Sequence, residues 1–84
     1  MKACITGASS GIGRDMARVL ADYGIDLFIV ARRSERLKQL QSELSEKVHV
    51  TAITLDLADE QSCHLLYERL ANEDIDILIN NAGF

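Results

Sequence analysis

Proline is absent from these 84 residues, and cysteine occurs only twice. Without proline, nothing along the chain is barred from a helix interior or a central strand. Cys4 and Cys63 make neither a C-x-x-C pair nor a disulfide framework, and each falls in an apolar pattern, so both read as buried thiols. His49 and His64 have no partner at metal-ligand spacing, and no metal site is expected. No apolar run approaches the roughly 20 residues that cross a bilayer. The N-terminus lacks the long apolar centre and small-residue cleavage site of a secretory signal, which leads us to expect a cytoplasmic protein without a membrane partner. Positive charge is also scarce. Nine Lys/Arg stand against thirteen Asp/Glu, for a net charge of −4, and that balance argues against nucleic acid as a partner. The scarcity is uneven, with seven Lys/Arg against four Asp/Glu in residues 1–42 and two against nine in residues 43–84. An anionic ligand is expected to meet the first half.

What the chain does have is a regular alternation. Its 48% hydrophobic and 26% charged residues suit one small folded domain, in which a chain of this length buries about 60–65% of its unfolded surface. Residues 2–6 read as a strand. Ile12, Met16, Val19, Leu20 and Tyr23 then recur at helical spacing as one apolar stripe, closed by Gly24. The run "DLFIVA" (26–31) is continuous rather than alternating, as in a strand buried on both faces. Ser34 is placed to cap a helix carrying Leu37, Leu40 and Leu44. "VHVTAITL" (48–55) is rich in β-branched residues and reads as a third strand. Asp59 can start a third helix with Cys63, Leu66, Tyr67, Leu70 and Ala71 on one stripe, and "IDILI" (75–79) is a fourth strand. The pattern β-α-β-α-β-α-β predicts a parallel α/β sheet. A sheet stopping at "NNAGF" would leave its fourth strand as a bare apolar edge, so we expect a longer natural protein or a partner covering that edge.

Four stretches can carry chemistry. In "ITGASSGIG" (5–13), three glycines and no acid lie between a strand and a helix. Gly7 allows a sharp turn, Gly11 leaves room for a diphosphate to reach backbone N–H groups, and Gly13 allows close helix packing; Ser9 and Ser10 add hydroxyl donors. A tight βα turn without a ligand could use the same glycines. At the end of the second strand, where a dinucleotide-binding unit commonly keeps an acid for the ribose hydroxyls, the sequence has Ala31, Arg32 and Arg33. Arginine there favours a ribose 2′-phosphate and hence NADP over NAD, although solvated charges opening a helix would look the same. Asp56 in "LDLAD" stands at the carboxyl end of the third strand, where it can accept from an adenine amino group or start the next helix. In "NNAG" (80–83), Asn80 and Asn81 can bond backbone across strands while Ala82 and Gly83 keep that wall small.

Taken together, "TGASSGIG", "VARR", "LDLAD" and "NNAG" resemble the short-chain dehydrogenase/reductase family, in its NADP-preferring classical-type branch, collinearly over essentially the whole chain. The resemblance implies a Rossmann-type doubly wound parallel sheet in the order 3-2-1-4, incomplete at the fourth-strand edge, with residues 1–84 as the N-terminal portion of one NAD(P)-binding domain. It implies that Gly7, Ser9, Ser10, Gly11, Ile12 and Gly13 form the diphosphate loop, and that Arg32 with Arg33 takes the 2′-phosphate. Asp56 and Leu57 would then contact adenine, while Asn80, Ala82 and Gly83 line the adenosine side and steady the sheet. Ala58 stands where the family often has Ser or Thr. The implied protein is an NADP(H)-dependent oxidoreductase acting on a small carbonyl or alcohol, and a homo-oligomer at full length. The family's Ser-Tyr-Lys set has no counterpart here, since Tyr23 and Tyr67 are followed four residues later by Leu27 and Ala71. The competing class is a non-catalytic nucleotide-binding or interaction module, a truncated or decayed fragment. The 84-residue chain alone is therefore expected to turn over no ketone, aldehyde or alcohol with NADPH; protein-dependent NADPH oxidation by the purified chain across a carbonyl panel would contradict this.

Overall fold

The computed structural model describes residues 1–81. Along the chain these form β1 (Lys2–Thr6), α1 (Gly11–Asp22), β2 (Asp26–Ala31), α2 (Ser34–Leu44), β3 (Val50–Thr54), α3 (Glu60–Leu70) and β4 (Ile77–Asn80). The strands make one parallel sheet in the order β3-β2-β1-β4, as the alternation and the resemblance predict. Central position explains the composition of β2. Leu27, Ile29 and Ala31 join the core beneath α1 and α2, while Phe28 and Val30 join the smaller core beneath α3. Successive side chains on a strand point to opposite faces, so a strand covered on both sides has no polar positions to spare. The same parity sends Ala3 and Ile5 of β1 to the first core and Cys4 to the second. Burial pushes the Cys4 thiol up to about 11, which keeps it protonated at neutral pH.

The helices depart from the expected stripes. Of the five α1 residues predicted to face the core, Ile12, Val19 and Tyr23 are 69%, 53% and 79% exposed and Met16 is exposed as well; Leu20 alone packs against it. The buried side is Gly13, Ala17 and Ala21. These recur every four residues, and their small side chains let the helix lie close to β1 and β2, which larger ones would hold off. In α2, Leu37, Leu40 and Leu44 are buried as expected, each contributing about 1.5–3 kcal/mol by its removal from water. Ser34 is the first residue of α2 rather than its cap. The N-cap is Arg33, which makes no side-chain capping bond. Asp59 does cap α3, accepting from the Gln61 N–H at 3.2 Å. Of that helix's expected stripe only Leu66 is buried, and Tyr67 is exposed. Cys63 is half-buried, its thiol donating to the Leu57 carbonyl at 3.3 Å.

β4 begins two residues later than predicted. The Asp76 carboxylate accepts from the Lys2 N–H at 2.8 Å, and the Asp76 N–H donates to the Lys2 carbonyl at 2.8 Å. This local pairing leads the chain into the sheet before the regular ladder starts at Ile77. At the surface, Arg18 of α1 holds Glu43 of α2 through two bonds of 2.8 and 3.0 Å, and Lys47 pairs with Asp22. The Arg18 guanidinium holds the Glu43 carboxyl below its ordinary range. Both pairs are exposed, so they orient the helices more than they stabilise them.

Among the described residues, large apolar side chains left in the open include Met1 ahead of β1, Ile12, Met16 and Val19 on α1 with Tyr23 at its C-cap, Leu65 and Tyr67 on α3, and Leu78 on β4. Surfaces of this kind promote association. The 84-residue chain by itself is expected to sediment as oligomers, and Val19→Glu combined with Leu78→Lys should reduce the association. A monomeric mass with a sharp thermal transition would show that these faces are tolerated in water.

Candidate functional site

All four strands of a parallel sheet present their carboxyl ends to the same side, and here those ends enclose a cleft of about 370 Å³. β1 contributes Gly7, Ser9 and Ser10 from the turn that follows it. β2 contributes Ala31 and, just beyond, Arg32 and Arg33. β3 is followed by Leu55, Asp56, Leu57 and Ala58, β4 by Asn81, and the first turn of α2 adds Arg36. Backbone bonds beyond the strand ends fix these segments. The Ala8 N–H donates to the Val30 carbonyl at 3.1 Å, and the Leu55 N–H donates to the Ala31 carbonyl at 3.0 Å.

The turn between β1 and α1 depends on two properties of glycine. Gly7 and Gly11 have φ values of +66° and +29°, a region in which other residues are strained. At Gly13 the need is space. A Cβ there would lie 2.6 Å from the Asn81 side-chain nitrogen and closer still to the Gly7 carbonyl oxygen. At Gly11, by contrast, a Cβ would meet nothing within 4 Å. α1 starts with Ser10 as its N-cap, but without a side-chain capping bond and without an acid in its first turn. Its leading N–H groups and the positive end of its dipole are thus offered to an anion. The Ser10 hydroxyl donates to the Gly7 carbonyl at 3.4 Å, which holds the turn together.

Beneath the turn, Thr6 joins β1 to the end of β4. Its hydroxyl donates to Asn80 Oδ1 at 3.0 Å and accepts from the Asn81 N–H at 3.0 Å. Asn81 Nδ2 donates to the Gly7 carbonyl at 3.4 Å. On the far side of the cleft, Asp56 Oδ1 accepts from the Ala58 N–H at 3.0 Å. Asp56 therefore shapes its own loop with one oxygen, leaving the start of α3 to Asp59.

Of the residues singled out from the sequence, Gly7, Ser9, Ser10, Arg32, Arg33, Asp56 and Leu57 line the cleft together. Gly11, Ile12 and Gly13 are not among its lining residues; they form the first turn of α1, and Ile12 is exposed. Asn80 bonds to Thr6, and Asn81 lines the cleft instead. Ala82 and Gly83 lie outside the described residues. Arg36 was missed from sequence. Its position three residues after Arg33, at the start of a helix, was the available signal, because residues three apart share a helix face.

A sequence profile of the family described as short chain dehydrogenase matches residues 1–84. Sulfoacetaldehyde reductase 2 of Chromohalobacter salexigens is 44% identical over 81 residues, covering 94% of this chain and 32% of that protein. The NADP-dependent 3-hydroxy acid dehydrogenase of Schizosaccharomyces pombe is 43% identical over 84 residues, covering 94% and 32%. The solved structure of a short-chain dehydrogenase from Sphingobium yanoikuyae in complex with NADPH superposes with a TM-score of 0.92 at 43% identity, covering 99% of this chain and 34% of that one. The chain belongs to the short-chain dehydrogenase family. It spans about a third of the length of these relatives.

The Gly13 contact makes a direct prediction. Gly13→Ala in the full-length protein is expected to cost about 1–3 kcal/mol of stability, because the crowding atoms include backbone that cannot rotate away. Gly11→Ala adds no clash, so its cost is confined to the strain of a positive φ and should be smaller. Chemical denaturation of both variants checks this; a Gly13→Ala protein as stable as the parent would show that α1 is not held against the turn as described.

Proposed function

We propose that this chain is the cofactor-binding part of an NADP(H)-dependent oxidoreductase that reduces a small carbonyl compound or oxidises the corresponding alcohol. The observation that carries the reading is the sequence Ala31-Arg32-Arg33 at the carboxyl end of β2. Both arginines are lining residues of the cleft, at the place where an NAD-binding unit would keep a carboxylate. Family membership supports the reaction class, and the NADPH complex and the NADP-dependent relative described above support the choice of cofactor.

The residues present fit such a group. The uncapped, acid-free start of α1 and the Ser9 and Ser10 hydroxyls suit a diphosphate. Arg32 and Arg33 offer charge-assisted donors to a ribose 2′-phosphate. One oxygen of Asp56 is engaged by Ala58, and the carboxylate retains capacity to accept from an adenine amino group beside Leu57. When bound, the nicotinamide supplies the hydride; these residues supply its position and the electrostatics around its adenosine end.

Hydrogen bonds to charged groups contribute about 1.5–3 kcal/mol each. Arg32→Ala should therefore weaken NADPH binding roughly ten- to a hundredfold while leaving NADH nearly unchanged. Ala31→Asp should shift preference further, repelling the phosphate and offering the ribose hydroxyls an acceptor. Raised salt should weaken NADPH more than NADH. Titration of both cofactors against the full-length protein and the two variants is the measurement. Equal losses for both cofactors in Arg32→Ala, or none for either, would reduce these arginines to a solvated helix start.

A further inference from the structure

Leu57 belongs to two places at once. It lines the cleft beside Asp56, and it packs against the second core, which Leu66 of α3 builds with Phe28 and Val30 of β2. The chain reaches it after leaving the sheet. β3 ends at Thr54, and the Leu55 N–H still bonds to the Ala31 carbonyl at 3.0 Å. From Asp56 onward the bonds are local: Asp56 Oδ1 accepts from the Ala58 N–H at 3.0 Å, and the Asp56 carbonyl accepts from the Asp59 N–H at 3.1 Å. Both close the loop on itself.

Cys63 reaches the loop from outside. Its thiol donates to the Leu57 carbonyl at 3.3 Å. Cys63 is the fourth residue of α3, and the Cα–Cβ bonds of a helix tilt toward its N-terminus, so a side chain there leans back over the residues that lead in. Leu66, three residues on, shares that face and is buried in the second core. The seat of α3 on the sheet is therefore passed to Leu57 through one thiol. Asp59 steadies the turn that carries it, accepting from the Gln61 N–H at 3.2 Å and from the Ser62 hydroxyl at 3.4 Å. Neither Leu57 nor Ala58 has a polar side chain. Among the described residues, the Leu57 carbonyl is held by Cys63 alone.

We infer that Cys63 is a positioning residue for the adenine end of the cofactor, acting through the Leu57 carbonyl to fix the wall that Asp56 and Leu57 form. It is not itself a lining residue of the cleft. This inference rests on the NADP(H) reading above and adds to it a residue whose effect is common to both dinucleotides, because both carry adenine and only one carries the 2′-phosphate. A thiol is a weak donor, so the effect is small. A serine at this place keeps a donor for the same carbonyl, and an alanine does not.

The test titrates NADPH, NADH, 2′,5′-ADP and reduced nicotinamide mononucleotide against the full-length protein and its Cys63→Ala, Cys63→Ser and Arg32→Ala variants, with thermal melts as a check on folding. Cys63→Ala is expected to weaken NADPH, NADH and 2′,5′-ADP alike, about two- to fivefold, within the range for one uncharged hydrogen bond. The mononucleotide, which has no adenine, should not change. Cys63→Ser should restore most of the affinity, a rescue that a role in packing alone would not give. If Arg32→Ala loses NADPH affinity selectively and Cys63→Ala binds every ligand as the parent does, the NADP(H) reading stands and this inference is overturned. Equal losses in Cys63→Ala and Cys63→Ser, or a loss that extends to the mononucleotide, also overturn it. If the parent binds neither dinucleotide, both readings fall. A second measurement needs no variant. Linkage is reciprocal, so a ligand favoured by the bond also favours the bond. In the parent protein 2′,5′-ADP should therefore slow alkylation of Cys63 by iodoacetamide about two- to fivefold, followed by peptide mass mapping; an unchanged rate overturns the inference.

Discussion

The rest of the site depends on the lack of a side chain at Gly13. At that point the first turn of α1, the carbonyl of Gly7 after β1 and the side chain of Asn81 after β4 meet at a separation that leaves no room for a methyl group. The contact sets how near α1 lies to the sheet, and with it where the helix N-terminus points. Asn81 reaches the Gly7 carbonyl from the other side, and Thr6 holds both asparagines from below. The glycine turn is thus a junction of three elements that are distant in sequence.

Close packing on one side of α1 has a consequence on the other. A helix seated through Gly13, Ala17 and Ala21 buries little apolar area of its own, and its large side chains are left on the outer surface. The first core is instead supplied from β2 and α2, where Leu27, Ile29, Leu37 and Leu44 are almost wholly buried. The second core, under α3, is smaller and leaves Leu78 of β4 uncovered on that face. The scaffold is therefore firmest around β2, and β2 is the strand that carries the arginines.

Three ion pairs lie away from the cleft and link α1 to α2, α1 to the loop after α2, and β1 to the loop before β4. Arg32, Arg33 and Arg36 at the cleft have no ion pair among the described residues, a property they share with Arg14, Lys38 and Arg69 elsewhere, and they stand across from a helix start that has neither a side-chain cap nor an acid. Arginine side chains and an acid-free helix start thus border one cleft, the arrangement a diphosphate with a nearby monophosphate requires.

Patterns local in sequence were legible before any coordinates. The continuous apolar run of residues 26–31 announced a strand covered on both faces, the leucines of α2 announced its buried side, and strand-glycine-helix spacing announced the turn. In each case the residues that matter are neighbours, so their spacing carries the information. The sequence also determined, through Ala31, Arg32 and Arg33, the charge at the end of β2. Which side of α1 faces the sheet could not be read from hydrophobicity, because close approach selects small side chains and the larger apolar ones mark the opposite surface. Asn81 rather than Asn80 at the cleft, and Arg36 beside Arg33, were likewise decided by the tertiary structure. Strand register set the first, since Asn80 pairs with Thr6 in the ladder and the next residue leaves it. Helix orientation set the second, because only once Leu37 is buried against the sheet does the preceding arginine come to border the cleft.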